Sequence, residues 1–176
     1  MDGSQVIAIR LLGRADFAQY RRVRLRALAE HPEAFTSSAD EEATAEGDAR
    51  MARRLDPAPQ APHDTVLGAF DADALLGTVG LAVDMRTKVR HRGHVVGMYV
   101  VPERARRGIG RALLDAQIDR ARAVPGLAGL TLTVTAGNDG ARTLYERAGF
   151  VVVGRDPDAV RIGAASYDKL LMYRRL

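Results

Sequence analysis

Residues 98–114 read MYVVPERARRGIGRALL, and this segment is more informative than any other part of the chain. Its β-branched start predicts a strand, its arginine-rich middle predicts a turn, and the apolar residues after Gly108 predict an amphipathic helix. The first N–H groups of a helix have no partner within the helix, and the macrodipole favours negative charge there. Gly108 and Gly110 have no Cβ, so this backbone can approach a bulky anion closely. The segment therefore predicts a phosphate-binding site at the start of a helix.

The composition is typical of a soluble globular domain. The chain has 176 residues, of which 47% are hydrophobic and 27% charged, and this predicts a single domain over residues 1–176. It contains no cysteine, which excludes disulfides, thiolate metal sites and an acyl-cysteine intermediate. The four histidines are scattered, so we expect no metal site.

The charge distribution argues against a nucleic-acid partner. The 26 basic residues give a net charge of +4, and all of them except Lys88 and Lys169 are arginines. They are spread along the chain among acidic residues, and 5% aromatic content without tryptophan offers no stacking platform for single strands. No apolar run approaches the roughly 20 residues that cross a bilayer, and the first residues do not resemble a signal peptide. We therefore expect a cytoplasmic protein with no membrane partner.

Hydrophobic periodicity and turn signals predict a mixed α/β protein. The apolar segments 94–101 and 130–135 are typical of strands at the centre of a sheet, and a right-handed crossover through the intervening helix would make them parallel. The predicted strands are 6–11, 65–70, 75–83, 94–101, 130–135, 150–154 and 166–174, with a hairpin turn at 71–73 and a polar loop at 155–165. The predicted helices are 15–30, 41–55, 108–124 and a short helix that Asn138 or Asp139 caps and that ends at Gly149.

Two motifs in this order resemble the GNAT superfamily of acetyl-CoA-dependent N-acetyltransferases. Residues 98–114 are similar to its acyl-CoA signature, a strand followed by Gln/Arg-x-x-Gly-x-Gly/Ala and a helix, although Ala105 stands at the Gln/Arg position. Residues 138–150, NDGARTLYERAGF, are similar to its second signature. The resemblance implies an α/β fold with a mixed, mostly antiparallel central sheet, a parallel pair of splayed strands, and helices on both faces. The alternative interpretation of the two glycines is tight packing of the helix on the sheet.

The resemblance also implies how acetyl-CoA, the cosubstrate, is held. Backbone N–H groups of residues 106–111 would bind the pyrophosphate, with positive charge added by the arginines. The strand before them would carry a bulge within residues 98–100, and an N–H of Tyr99 or Val100 would point at the thioester oxygen. The implied acetyl-CoA residues are Met98, Tyr99, Val100, Arg106, Arg107, Gly108, Ile109, Gly110, Arg111 and Asn138.

The implied catalytic residues are Tyr145 and His94. Tyr145 would protonate the thiolate leaving group, although a half-buried tyrosine that packs with Phe150 is the plainer interpretation. His94 lies fourteen residues before Gly108, where histone-acetylating relatives have a glutamate base, and histidine titrates near neutral pH. A strand histidine bonded to a neighbour is an equally good interpretation. The alternative bases are Glu33, Glu41 and Glu42.

The expected function is transfer of an acetyl group from acetyl-CoA to a primary amine by direct attack in a ternary complex. The alternatives are a non-catalytic acyl-CoA-binding regulatory module and a basic nucleic-acid-binding protein. Acidic side chains near the first helices suit a cationic acceptor, and a small-molecule amine or a protein amine would fit equally. The resemblance also allows a homodimer, because dimers are frequent in the GNAT superfamily.

Overall fold

The computed structural model describes residues 7–56 and 63–176, which form one seven-stranded sheet flanked by helices. The strands are β1 (Ala8–Leu11), β2 (Thr65–Asp71), β3 (Ala74–Val83), β4 (Arg92–Val100), β5 (Gly129–Thr135), β6 (Val151–Ile162) and β7 (Ala165–Arg175). The α-helices are α1 (Phe17–Glu30), α2 (Ala39–Glu42), α3 (Ala45–Leu55), α4 (Ile109–Arg122) and α5 (Asp139–Arg147). The strand order is β1-β2-β3-β4-β5-β7-β6, and every neighbouring pair is antiparallel except β4 with β5. The predicted fold class is confirmed.

The core lies where α1 and α4 pack against the middle of the sheet. Every residue of β2 is buried, as expected for a strand covered on both faces. The buried apolar residues of α4 recur every three or four positions, and burying each side chain stabilises the fold by about 1.5–3 kcal/mol. They are Ile109, Leu113, Leu114, Ile118 and Ala121. Within the two described stretches, none of the helices has the length and apolar character to cross a membrane.

The parallel pair is short, and this opens the sheet. Three residue pairs join β4 to β5, namely Arg92 with Gly129, Gly93 with Leu130 and His94 with Thr131. Beyond them β5 continues to pair with β7 as far as Thr135, which lies opposite Lys169. The two parallel strands therefore diverge after residue 94 on β4, and a cleft lies between them.

A bulge on β4 lies beside this cleft. Thr78 of β3 pairs with Tyr99 and Gly80 pairs with Val96, so one residue of β3 is opposed by two residues of β4, Gly97 and Met98. Gly97 has φ +62, which glycine adopts without the steric penalty of a Cβ. The bulge was expected within residues 98–100. The structure places it one residue earlier, because Gly97 is the residue that tolerates this conformation.

The predicted helix 41–55 is wrong as a single element. Residues 39–55 form two helices, because Thr44 acts as the N-cap of α3 and accepts a hydrogen bond from the Gly47 N–H at 3.2 Å. Ser38 caps α2 in the same way, and Glu41 completes a capping box by accepting from the Ser38 N–H at 2.8 Å. A threonine hydroxyl stabilises a helix start better than a helix interior, so one helix ends before Thr44 and a second helix begins after it.

The predicted loop 155–165 is also wrong, because β6 and β7 form one long hairpin that turns at residues 163–164. The sequence is polar there because β6 is the outermost strand and most of it faces solvent. Asp168 stabilises the irregular part of the ladder by accepting from the Asp158 N–H at 2.9 Å and from the Arg155 Nε at 2.7 Å. At the other end of the sheet, residue 6, where the first strand was expected to begin, lies outside the described residues.

Candidate active site

The junction before α4 has the open backbone that the sequence predicted. Gly108 is the N-cap of α4 with φ +78, and no side chain caps the helix. A Cβ added to Gly108 would meet no atom within 4 Å, and one added to Gly110 would lie 3.4 Å from the Met98 Cε. Both distances leave room for a methyl group, so tight helix–sheet packing does not explain either glycine. The unpaired N–H groups of the first turn are left free for a ligand.

The arginines around this junction fall into two groups. Arg106 and Arg107 are exposed beside Gly108 and provide positive charge at the helix start. Arg111 is tethered, since its Nε lies 2.7 Å from Asp115 and its Nη1 donates to the Arg147 carbonyl at 3.1 Å. A cavity beside these residues is lined by Val100, Arg104, Ala105, Arg106, Gly108, Ile109, Gly110, Arg111, Gly140, Thr143, Leu144 and Arg147.

The backbone of β4 turns one N–H towards the cleft. The Val101 N–H donates to the Leu76 carbonyl at 2.8 Å, and Tyr99 lies opposite Thr78. Backbone N–H and C=O groups of successive residues point to opposite sides of a strand. Because the backbone groups of Tyr99 and Val101 point towards β3, the N–H of Val100 points to the opposite side, from which β5 has diverged. Of the two candidates for the thioester contact, the geometry favours Val100.

Tyr99 has a different role. Its hydroxyl donates to Glu30 Oε2 at 2.6 Å and ties β4 to the end of α1. Burial, and next the bond to Glu30, raise the pKa of the Tyr99 phenol.

The cleft between β4 and β5 contains a cavity of about 240 Å³. Tyr145 is 7% exposed and its ring meets Phe150 edge-on, with the centroids 6.2 Å apart. Burial raises the pKa of the Tyr145 phenol to about 12, so the hydroxyl is protonated at neutral pH. The lining residues are Arg24, Ala34, Phe35, Thr36, Ser37, Arg54, Val95, Val96, Gly97, Met98, Thr133, Val134, Thr135, Asn138, Ala141, Tyr145 and Lys169.

Asn138 and His94 differ in their relation to the cleft. Asn138 lines it and also caps α5, since its Oδ1 accepts from the Ala141 N–H at 3.1 Å. His94 is exposed, lies where β4 still pairs with β5, and has its Nδ1 2.6 Å from the Thr131 hydroxyl. His94 is not among the residues that line the cleft. The structure therefore brings Met98, Asn138 and Tyr145 together and leaves His94 outside.

None of the three glutamates expected near the acceptor lines the cleft. Glu33 has its carboxylate 3.8 Å from the His31 Nδ1, and Glu41 is part of the capping box at Ser38. Glu42 is buried, with its carboxylate 3.9 Å from the Arg50 Nε.

The sequence analysis did not predict three basic residues that line the cleft, namely Arg24, Arg54 and Lys169. One signal for Arg24 was available, because it lies four residues after Tyr20 and four before Leu28, on the buried face of α1. Lys169 is one of two lysines in the chain, and in β7 it lies between Asp168 and the apolar residues 170–172. Nothing in the sequence distinguishes Arg54 from its neighbour Arg53.

The seven-stranded mixed sheet with one parallel pair and flanking helices is the fold of the GNAT acetyltransferases. Residues 26–150 match the acetyltransferase (GNAT) family, and the chain belongs to that family. A GNAT-family acetyltransferase from Streptococcus pneumoniae has a similar structure, with a TM-score of 0.83, 25% identity, and coverage of 97% of this chain and 100% of that one.

Two further proteins are similar to this chain. The structure of yncA, a putative acetyltransferase from Salmonella typhimurium solved with its cofactor acetyl-CoA, has a TM-score of 0.78 at 22% identity, covering 97% of this chain and 94% of that one. The mycothiol acetyltransferase of Propionibacterium freudenreichii is 43% identical over 67 residues, which are 38% of this chain. The match covers 21% of that protein's length.

Alanine substitutions at the two glycines separate backbone strain from packing. Gly108→Ala puts a Cβ on a residue with φ +78, and we expect it to lower the free energy of unfolding by about 1–2 kcal/mol. Gly110→Ala has room for its methyl group and gains helix propensity, so we expect a change of less than about 1 kcal/mol, in the stabilising direction. Urea denaturation measures both. Equal destabilisation by the two substitutions would show that Gly110 is needed for packing.

Proposed function

We propose that the protein transfers an acetyl group from acetyl-CoA to a primary amine by direct attack in a ternary complex. The observation that carries this proposal is the cleft between β4 and β5, whose cavity Met98 and Tyr145 line. The Val100 N–H points out of β4 on the same side and lies next to the cavity at the start of α4. A hydrogen-bond donor and a proton donor beside one cleft are what aminolysis of a thioester requires.

The residues before α4 fit the cosubstrate. The amides at Gly108, Ile109 and Gly110 would bind the pyrophosphate, with charge from Arg106 and Arg107. Ala105 leaves this site without the side-chain contact of the family motif, so the backbone carries most of the binding. Beyond it, the strand edge at Met98 and Val100 would pair with the pantetheine arm much as an added strand does.

The chain's own groups then support the transfer. Acetyl-CoA supplies the acetyl thioester, and the new N–C bond forms as the C–S bond breaks. The Val100 N–H donates to the carbonyl oxygen, on which negative charge develops. The Tyr145 hydroxyl gives its proton to the departing sulfur and then regains one from solvent, and the proton lost by the amine passes to solvent. The mechanism needs no cysteine and no acyl-enzyme.

Thiol release with acetyl-CoA and a panel of primary amines tests the function. We expect release that depends on the amine. In Gly110→Ala we expect the KM for acetyl-CoA to rise roughly tenfold or more, because the added methyl group keeps the amides from the pyrophosphate. Gly154→Ala, where the nearest atom to an added Cβ is 4.0 Å away, is the matched control and should behave as wild type.

Two outcomes would contradict the proposal. Tight binding of acetyl-CoA by calorimetry without thiol release from any amine would support the non-catalytic acyl-CoA-binding module instead. Absence of acetyl-CoA binding would remove the basis of both functions.

Tyr145→Phe tests the proton donor. The ring and its contact with Phe150 are kept, so only the hydroxyl is lost. We expect kcat to fall by roughly 10²- to 10⁴-fold while the KM for acetyl-CoA stays near the wild-type value. Tyr167→Phe, on the hairpin of β6 and β7, is the control. A variant that retains wild-type kcat across the pH range would exclude Tyr145 as the acid.

His94→Ala tests the base that the family resemblance implied. Because the His94 ring contacts Thr131 and does not line the cleft, we expect kcat/KM to fall by less than about tenfold, below the usual effect of losing a general base. The acidic limb of the pH profile should be retained. A large loss together with disappearance of that limb would assign His94 as the base.

A further inference from the structure

We propose that the acceptor is a small amine that carries an anionic group, in the first place a carboxylate, and that Arg24 binds this group inside the cleft. The inference rests on the proposed acetyl transfer and names its substrate class. It reverses the cationic acceptor that the acidic residues near the first helices had indicated.

The charge of the cleft is the first observation. Its described lining includes Arg24, Arg54 and Lys169 and contains no aspartate, glutamate or histidine. A polyamine or another cationic acceptor would meet like charges there, whereas a carboxylate would be attracted.

Arg24 is the second observation, because its guanidinium is buried without a carboxylate partner. The residue is 8% exposed, and its Nε is buried and has no hydrogen-bond partner in the described parts of the chain. The Arg24 Cζ lies 4.7 Å from the centre of the Phe35 ring. Burial lowers the pKa of Arg24, and nearby Arg54 acts in the same direction.

The carboxylates near Arg24 do not satisfy it. Glu42 is close enough to act on Arg24 electrostatically, but no ion pair within 4.0 Å joins Arg24 to any carboxylate of residues 7–56 and 63–176. An unpaired buried guanidinium opposes folding, and the planar fork of its N–H groups matches a carboxylate in two parallel hydrogen bonds. A bound acid would therefore provide the partner that the fold leaves out.

Lys169 has a separate role. Its Nζ donates to the Glu33 carbonyl and to the Thr135 hydroxyl, both at 2.8 Å. The ammonium is therefore held by the fold and does not need a ligand as its hydrogen-bond partner. It adds positive charge to the cleft, and like charge disfavours the protonated form of a bound amine. The carboxylate of the acceptor would pair with Arg24, and its amine would stay neutral and able to attack.

The size of the cleft limits the acceptor. Its volume of about 240 Å³ is below the roughly 300–1,000 Å³ of clefts that hold drug-sized ligands. The thioester must also enter it. An acceptor of amino-acid size fits this space, and a bulky polycyclic or oligosaccharide amine does not.

The test compares matched amines that differ only in the anionic group. β-Alanine, L-leucine and L-glutamine are assayed against their carboxamides, and aminomethylphosphonate against methylamine, which distinguishes a carboxylate from a phosphonate. We expect kcat/KM for the preferred acid to exceed that of its neutral partner roughly 10- to 100-fold. Binding to the CoA-loaded protein is measured in parallel as a shift in melting temperature.

Two pairs of variants give the controls. Arg24→Gln should raise the KM for the acid roughly 10- to 100-fold and leave the neutral partner and acetyl-CoA unchanged. Arg22→Gln removes the same charge from an exposed position of α1 and should have no effect. Arg54→Gln should weaken the acid less than Arg24→Gln, and Arg53→Gln, at its exposed neighbour, should match wild type.

Each outcome decides between the two proposals. If neutral amines react as fast as the acids, or if Arg22→Gln and Arg24→Gln have equal effects, acetyl transfer stands and the anionic acceptor is excluded. If no amine reacts but the anionic amines bind in an Arg24-dependent manner, the anion site is supported and the transferase function is excluded. If the acids neither bind nor react, the inference is overturned.

Discussion

The separation of β4 from β5 after residue 94 is the constraint on which the site depends. Had the parallel ladder continued to the end of β5, no cleft would exist beside β4. The separation persists because β5 keeps its full ladder with β7 on its other side, while Gly97 bends β4 at the bulge. The backbone groups thus left beside the cleft are costly unless a ligand satisfies them. The fold therefore places strand-edge donors where an extended molecule can use them.

The cationic cleft shows a similar relation between stability and function. Lys169 and Arg24 are both buried, but their surroundings differ in how fully they satisfy each cation. Lys169 donates two hydrogen bonds of 2.8 Å, and these bonds within the fold offset the cost of burying its charge. Arg24 has the face of Phe35 and an orphaned Nε. Because removing one partner of a buried charge pair is strongly destabilising, an anion that pairs with Arg24 would stabilise the protein.

The sequence predicted the elements that periodicity and helix caps define. The boundaries of β4 and α4 agree with the predicted segments to within two residues, because a buried strand and an amphipathic helix have clear apolar patterns. Thr44 could have been recognised as a cap, but its side chain competes with a helical pattern that continues on both sides. The second half of β6 was missed because an exposed edge strand needs no apolar residues. The position of the bulge depends on the register of β3 against β4, which local sequence does not determine.

The site was predictable where its chemistry belongs to the backbone and less so where it depends on tertiary contacts. The glycines before α4 are visible in sequence, whereas Arg24, Arg54 and Lys169 come from three separate elements that meet only in the fold. Their meeting would change the acid–base requirement of the proposed reaction. Positive charge around a bound amine favours its neutral form, so the proton can leave to solvent before attack. Burial keeps the Tyr145 phenol protonated, with its pKa raised to about 12. Under the proposed mechanism, such a cleft would need a donor for the leaving thiolate more than it would need a base, and its described lining contains Tyr145 and no carboxylate or imidazole.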